Sequence, residues 1–122
     1  DERVEVYGFI DDMGRFLRRA EIIVARAGAL TIGEIAVLGK PSILIPFPYS
    51  ARNHQLYNAL YYKRLGACEI ILEKNLTAPY LAQKIIDMVS SPEKLERMSS
   101  AAKKFGKIST KIIAERIKCF VI

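Results

Sequence analysis

Residues 22–36 read IIVARAGALTIGEIA, which is an apolar run, a glycine and the beginning of a helical pattern. The run Ile22–Ala25 predicts a buried strand, and Gly28 predicts the turn that joins this strand to a helix over Thr31–Leu38. Gly39 comes directly after the last helical position, where glycine often ends a helix. A buried strand followed by a glycine turn and a helix is typical of α/β proteins with a parallel sheet.

The same alternation of strand and helix continues along the chain. Strands are predicted over Val4–Phe9, Ile22–Ala25, Ser42–Ile45 and Ala67–Leu72. Helices are predicted over Met13–Ala20, Thr31–Leu38, His54–Leu65, Thr77–Val89, from Ser91–Pro92 to Phe105, and from Ser109 onward. The fold class is therefore α/β, a Rossmann-like parallel sheet with covering helices. Ligands of such sheets bind beyond the carboxyl ends of the strands, which here are residues 8–12, 26–31, 46–53 and 73–75.

The composition limits the class of protein. A chain of 122 residues forms one domain or less, and 51% hydrophobic residues indicate a globular core. The net charge of +6 favours acidic or phosphorylated ligands, yet no nucleic-acid-binding motif accompanies it. Cys68 and Cys119 lie in apolar segments and are interpreted as buried reduced thiols, which suggests a cytosolic protein. No leader sequence is visible, and a first strand so near residue 1 suggests a piece of a longer protein.

The turn around Gly28 is a candidate anion site. The first backbone N–H groups of a helix have no acceptor within the helix, and the helix dipole is positive at that end. A glycine before the helix allows a phosphate to approach the backbone closely. The alternative is an ordinary turn between a strand and a helix.

Thr31 and Glu34 allow two interpretations. The spacing Thr-x-x-Glu matches a capping box, in which Glu34 would bind the backbone N–H of Thr31. In the other interpretation, the Glu34 carboxylate accepts hydrogen bonds from both hydroxyls of a ribose, as an acidic residue does in dinucleotide-binding folds. The two interpretations require different positions of the Glu34 side chain.

A polar group opens the third helix. His54, Gln55 and Asn58 lie within about one turn of each other, and amide side chains both donate to and accept from sugar hydroxyls. A solvated polar turn is the alternative. His54 is the only histidine, so a histidine-rich metal site is excluded, and no motif supports a Ser-His-Asp or Cys-His site. We expect neither a metal nor a cofactor, and no catalytic residue in this chain.

Four short motifs together resemble the C-terminal domain of the MurG family, in order and in spacing. They are FIDDM at 9–13, RAGALTxxE at 26–34, GxP at 39–41 and HQxxNA at 54–59. The resemblance implies that residues 1–122 are the donor-binding domain of a GT-B glycosyltransferase, incomplete at its N-terminal side and without the acceptor domain. It implies an inverting transfer of GlcNAc from UDP-GlcNAc to the C4 hydroxyl of MurNAc in lipid I, which forms lipid II for peptidoglycan.

The resemblance also implies a role for each candidate residue. Phe9 and Ile10 would lie beside the uracil, and Glu34 would hold the ribose. The remaining residues would contact the two other parts of the donor. Gly28 and the backbone around Ala29, Leu30 and Thr31 would contact the diphosphate and also the sugar, whereas His54, Gln55 and Asn58 would meet the GlcNAc hydroxyls.

The resemblance further implies partners that this chain would not bind alone. Lipid I would bind a missing N-terminal domain, which would also supply the catalytic base, so the 122 residues by themselves would be inactive. The complete enzyme would be cytoplasmic and peripheral on the anionic inner face of the bacterial plasma membrane. An exposed sheet edge would also permit dimerisation.

Two other functions are compatible with the same residues. The chain could be the separate donor-binding subunit of an enzyme that adds GlcNAc to a dolichol-linked sugar. It could also be a non-catalytic nucleotide-binding module. The first alternative differs in what precedes residue 1, and the second differs in whether the sugar of UDP-GlcNAc contributes to binding.

Overall fold

A computed structural model describes the backbone of residues 3–121 and the side chains through residue 112. Its sheet consists of three short parallel strands in the order β1-β2-β3. These strands are β1 (Ile23–Ala25), β2 (Ser42–Leu44) and β3 (Cys68–Ile70). The carboxyl ends of all three therefore meet at one edge, as the sequence predicts for a ligand site.

The helices of the described range follow the strands in the predicted order. They are α1 (Met13–Arg19), α2 (Ala29–Leu38), α3 (His54–Arg64), α4 (Ala78–Val89) and α5 (Pro92–Val121). Two of the predicted helix ends are confirmed, one by a hydrogen bond and the other by a backbone angle. The Thr77 hydroxyl accepts from the backbone N–H of Tyr80 at the start of α4, and Gly39 ends α2 with a φ of 65°.

The core lies on both faces of β2. Ile43 points to a cluster with Ile71 and Met88, under α4 and the beginning of α5. Leu44 points to the opposite cluster, which holds Ile35 and nine further buried residues from α2, α3, α5, the neighbouring strands and the loops beside them. Consecutive residues of β2 are thus all buried but on opposite faces, as expected for a strand covered by helices on both sides.

The predicted strand Val4–Phe9 is wrong. The segment has no regular secondary structure, and Val6 is 90% exposed. The segment does not pair with β1 but contacts α1. The ring of Tyr7 packs edge-on against that of Phe16, with 5.1 Å between the centroids. A strand needs a neighbour that supplies hydrogen bonds, and among the described residues β1 pairs only with β2.

The predicted break between two C-terminal helices is also wrong, because α5 runs without interruption through Gly106. Gly106 lies inside the helix for a reason of packing. A Cβ at this position would come within 2.8 Å of the carbonyl oxygen of Ala36 in α2. The glycine therefore allows the backbones of α2 and α5 to touch, and the local preference for a break is overridden.

No helix in the described part of the chain is long and apolar enough to cross a membrane.

Candidate functional site

The turn between β1 and α2 exposes a helix start that no side chain caps. Helix α2 begins at Ala29, two residues earlier than predicted, and Gly28 is its N-cap residue, with no side-chain cap bond. The first bond of the helix runs from Ile32 N–H to the Gly28 carbonyl oxygen, 3.0 Å apart. The N–H groups of the three residues before Ile32 thus have no acceptor inside α2, and they share its positive dipole end.

The space in front of Gly28 is bounded by polar atoms. A Cβ on Gly28 would lie 3.9 Å from Thr31 Oγ1 and 4.0 Å from Gln55 Nε2. The structure therefore brings Gly28, Thr31 and Gln55 together, although Gln55 belongs to α3. A hydroxyl beside exposed backbone donors suits an anionic oxygen, and the amide N–H₂ of Gln55 offers a further donor on the side of α3.

The capping-box interpretation of Thr31 and Glu34 is wrong. Thr31 is the third residue of α2, so it cannot be the residue that caps it. The Glu34 side chain is exposed, and no described residue donates a hydrogen bond to it. The carboxylate is therefore available to a ligand.

Gln55 connects two of the loops at the carboxyl edge. Its Oε1 accepts from the backbone N–H of Ala27, at 3.2 Å, and from the backbone N–H of Phe47, at 2.9 Å. Its own backbone N–H is bound by the Ser50 hydroxyl at 3.2 Å. The sequence did not indicate this bridge, because the partners are backbone groups 28 and 8 residues away. With Oε1 occupied, only Nε2 of Gln55 is free for a ligand.

Asn58 is oriented by the same stretch of backbone. Its Nδ2 donates to the carbonyl oxygen of Ala27 at 3.1 Å, which leaves Oδ1 free as an acceptor. Asn58 lines a cavity of about 230 Å³ between α2, α3 and α5, together with Ala29 and three tyrosines. This cavity opens beside the start of α2.

A larger cavity of about 610 Å³ lies between α1, α2 and α5, on another side of the same helix start. Glu34 and Leu30 line it, together with Met13 of α1, which is the last residue of the motif FIDDM at 9–13. Ala29 lines both cavities. Phe105 of α5 also lines both, so the start of α2 and Phe105 together lie between a space that contains Glu34 and a space that contains Asn58.

Six of the ten predicted residues line neither cavity. Gly28, Thr31 and Gln55 surround the start of α2 between the two cavities, and the other three lie apart from it. His54 is the exposed first residue of α3. Phe9, 82% exposed, and Ile10, partly buried, precede α1 and line neither cavity. The structure brings together Gly28, Ala29, Leu30, Thr31, Glu34, Gln55 and Asn58.

Arg26, for which the sequence predicts no role, contacts the loops around the site. Arg26 directly follows β1, and its guanidinium contacts groups beyond the ends of β2 and β3. Arg26 belongs to the motif at 26–34, but no spacing within this motif could indicate its partners, which lie 19 and 47 residues further along the chain.

The buried cysteine Cys68 has a structural role. Burial raises the pKa of the Cys68 thiol to about 12, and its Sγ faces the Ala59 carbonyl oxygen at 3.8 Å, so this cysteine is the predicted buried thiol and no nucleophile. Cys119 lies outside the described side chains. Among the described residues, no group of three or more His, Cys, Asp or Glu side chains could hold a metal ion.

The fold and the site define a class. A parallel sheet with covering helices and an uncapped helix start at its carboxyl edge belongs to the class of Rossmann-like α/β domains. Residues 1–114 match the family model described as "Glycosyltransferase family 28 C-terminal domain". The chain belongs to this family.

Individual relatives agree with the family model. The chain is 43% identical over 104 residues, 85% of its length, to the UDP-N-acetylglucosamine–N-acetylmuramyl-(pentapeptide) pyrophosphoryl-undecaprenol N-acetylglucosamine transferase of Caldicellulosiruptor saccharolyticus. It is 44% identical over 117 residues, 96% of its length, to the Thermoanaerobacter enzyme of the same name. It covers only 28% and 31% of these two relatives.

A solved structure shows the same fold. The crystal structure of MurG from Acinetobacter baumannii superposes with a TM-score of 0.72 at 30% identity, over 82% of this chain and 28% of that one. The resemblance to the MurG family and the predicted α/β fold are therefore confirmed.

Proposed function

We propose that this chain is the donor-binding part of an inverting hexosyltransferase that moves GlcNAc from UDP-GlcNAc to the C4 hydroxyl of MurNAc in lipid I. The family and the names of the relatives support the reaction. One structural observation carries the proposal for this chain. The uncapped start of α2 lies between a cavity with a free carboxylate and a cavity with a free amide oxygen.

This order matches the three parts of a nucleotide sugar. The diphosphate would lie against the N–H groups of Ala29, Leu30 and Thr31, which are positioned before any ligand arrives. The ribose would lie in the larger cavity, where Glu34 accepts hydrogen bonds from two hydroxyls. Phe9 and Ile10 remain our candidates for the uracil, since they lie just before Met13, which lines this cavity.

The sugar would lie on the other side, near α3. Because Asn58 donates to Ala27 through Nδ2, it offers the sugar an acceptor, Oδ1. Because Gln55 accepts twice through Oε1, it offers a donor, Nε2. We therefore expect one hydroxyl to donate to Asn58 and one to accept from Gln55, with the exposed His54 at the rim.

The chemistry of this part of the enzyme is leaving-group stabilisation. Negative charge develops on the diphosphate as the glycosidic bond breaks, and the start of α2 presents donors and a positive dipole to it. In our proposal this arrangement does the work that a divalent cation does in other transferases. Removal of the proton from the acceptor hydroxyl would require a general base outside these 122 residues, together with the binding site for lipid I.

The partners of the complete enzyme follow from the substrate. Lipid I is membrane-bound, so we propose a peripheral enzyme at the cytoplasmic face, drawn to anionic lipid by a chain of net charge +6. The free edge of β1, where Val24 is 39% exposed, would pair with a further strand of the protein or with a second copy.

Titration calorimetry of the complete protein with UDP and with UDP-GlcNAc tests the proposal. We expect the sugar nucleotide to bind more tightly than UDP. We also expect Asn58→Ala to weaken UDP-GlcNAc about tenfold, as the loss of a buried hydrogen bond does, while the affinity for UDP stays within twofold. Equal affinities for UDP and UDP-GlcNAc would contradict the sugar site and favour a plain nucleotide-binding module. Transfer to a dolichol-linked acceptor but not to lipid I would favour the subunit alternative.

A further inference from the structure

Arg26 contacts groups beyond the ends of the two strands that follow its own. It directly follows β1, its Nη1 donates to the carbonyl oxygen of Ile45 at 3.4 Å, and its Nη2 pairs with Glu73 Oε1 at 2.5 Å. Ile45 directly follows β2, and Glu73 lies three residues beyond β3. A planar guanidinium carries several donors in a fixed fork, so one side chain can make both contacts at once.

The same guanidinium also holds an aromatic ring. Its carbon lies 5.5 Å from the ring centroid of Phe47, within the range of a cation–π contact. The backbone N–H of Phe47 is meanwhile bound by Gln55 Oε1 at 2.9 Å. Phe47 is therefore held from two directions, by Arg26 at its ring and by Gln55 at its backbone.

These contacts contribute little to stability. The Arg26 side chain is 47% exposed and that of Glu73 is 35% exposed, and ion pairs in such positions contribute at most about 1 kcal/mol. What they determine is the position of the loop from Phe47 to Asn53, which leads directly into α3 and its residues Gln55 and Asn58.

We propose that Arg26 is a positioning residue for the sugar of the donor, an inference that rests on the proposed function. Arg26 holds Phe47, and Phe47 with Gln55 fixes the direction in which Nε2 of Gln55 points. Arg26 makes no contact with Glu34, which lines the cavity on the α1 side of α2. Its removal should therefore weaken recognition of the sugar and leave recognition of UDP unchanged.

The test measures dissociation constants of UDP and of UDP-GlcNAc for the complete protein with Arg26→Met, a side chain of similar length without donors or charge. We expect the constant for UDP-GlcNAc to rise about tenfold, which corresponds to the loss of one hydrogen bond between the sugar and a misaligned Gln55. We expect the constant for UDP to stay within twofold. Arg64→Met, at the exposed C-terminal end of α3, is the matched control and should change neither.

Two further variants separate positioning from folding. Arg26→Lys keeps the charge beside Glu73 but replaces the fork with a point charge, so it should recover only part of the affinity for the sugar nucleotide. Phe47→Leu keeps an apolar side chain but removes the ring, and it should shift the UDP-GlcNAc constant about threefold in the same direction. This variant also tests the proposal if Arg26→Met does not fold.

The outcomes are distinguishable. If the unmodified protein does not prefer UDP-GlcNAc over UDP, the proposed function fails. If it does, but Arg26→Met and Phe47→Leu leave this preference intact, the positioning role is overturned. Equal weakening of UDP and UDP-GlcNAc, together with a fall in the melting temperature, would assign Arg26 a structural role and would also overturn the proposal.

Discussion

Helices α2 and α4 begin in opposite ways. At the start of α4, the Thr77 hydroxyl accepts from Tyr80 N–H at 3.2 Å, so the protein satisfies its own helix end. At the start of α2, Gly28 has no side chain to do this, although its backbone angles, φ −68° and ψ 148°, are those of an ordinary N-cap residue. A helix end that is left unsatisfied at the carboxyl edge of a sheet is open to an anionic ligand, and our proposal places the diphosphate there.

The largest expected effect comes from giving α2 the cap that it lacks. Gly28→Asp fits sterically, because a Cβ there would meet other atoms only at 3.9 Å or more. The new carboxylate would bond the free N–H groups and occupy the place of the phosphate. We expect the affinity for UDP to fall about 100-fold while the free energy of unfolding changes by less than about 0.5 kcal/mol. Calorimetry and urea denaturation measure the two quantities, and unchanged UDP binding would show that the diphosphate lies elsewhere.

The second prediction concerns the free carboxylate beside this helix start. Glu34→Ala should weaken UDP and UDP-GlcNAc alike, by about 20-fold, because the ribose is common to both and hydrogen bonds to a charged group are worth about 1.5–3 kcal/mol. Stability should not change, since no described residue binds the Glu34 side chain. Calorimetry with both ligands checks the prediction, and a loss confined to UDP-GlcNAc would place Glu34 at the sugar.

The third prediction removes a helix cap, whereas the first adds one. Thr77→Ala removes the cap of α4 and should lower the free energy of unfolding by about 1 kcal/mol, with no change in the affinity for UDP. Urea denaturation measures the stability, and Thr77→Ser, which keeps the hydroxyl, is the control. A loss of UDP affinity in Thr77→Ala would contradict the separation of the two helix ends.

The smallest expected effect comes from a carboxylate that, unlike Glu34, is fully paired. Glu69 lies 2.8 Å from the Nζ atoms of both Lys63 and Lys94. Burial alone would raise the pKa of this carboxyl, but the two lysines outweigh it and lower the pKa to about 2. The stabilisation is therefore complete above the unfolded pKa near 4.3 and is lost as the pH falls toward 2.

Glu69→Gln should remove this part of the acid dependence. Because the site is partly solvated, we expect a loss on the order of 1 kcal/mol at pH 7 and almost none at pH 2. Urea midpoints at the two pH values measure the difference. An equal loss at both would mean that the side chain acts through packing and not through its charge.

The contrast between the two helix starts also explains what sequence patterns could predict. Thr77 and Gly39 act on residues within four positions, so the end of α2 and the start of α4 were predicted correctly. Thr31-x-x-Glu34 is equally local and still misled, because the turn at Gly28 lets the helix begin at Ala29. The existence of the helix was therefore predicted correctly, but its first residue was placed two positions too late.

The other differences come from partners far away in the chain. The run Val4–Phe9 has the residues of a strand but pairs with no described strand. Gly106 has the residue type of a helix end but meets the backbone of Ala36, 70 positions earlier. The acceptor role of Gln55 depends on Ala27 and Phe47, and no spacing within α3 could indicate it.

The contact at Gly106 makes α2 and α5 one mechanical unit. A helix of 30 residues is about 45 Å long, and at Gly106 it rests on α2 with no side chain between the two backbones. Close-packed backbones do not slide past each other without a large loss of contacts. The positions of α5 and α2 are therefore coupled at Gly106, and α2 is the helix that begins between the two cavities. We therefore expect a displacement of α5 to displace the proposed diphosphate site as well.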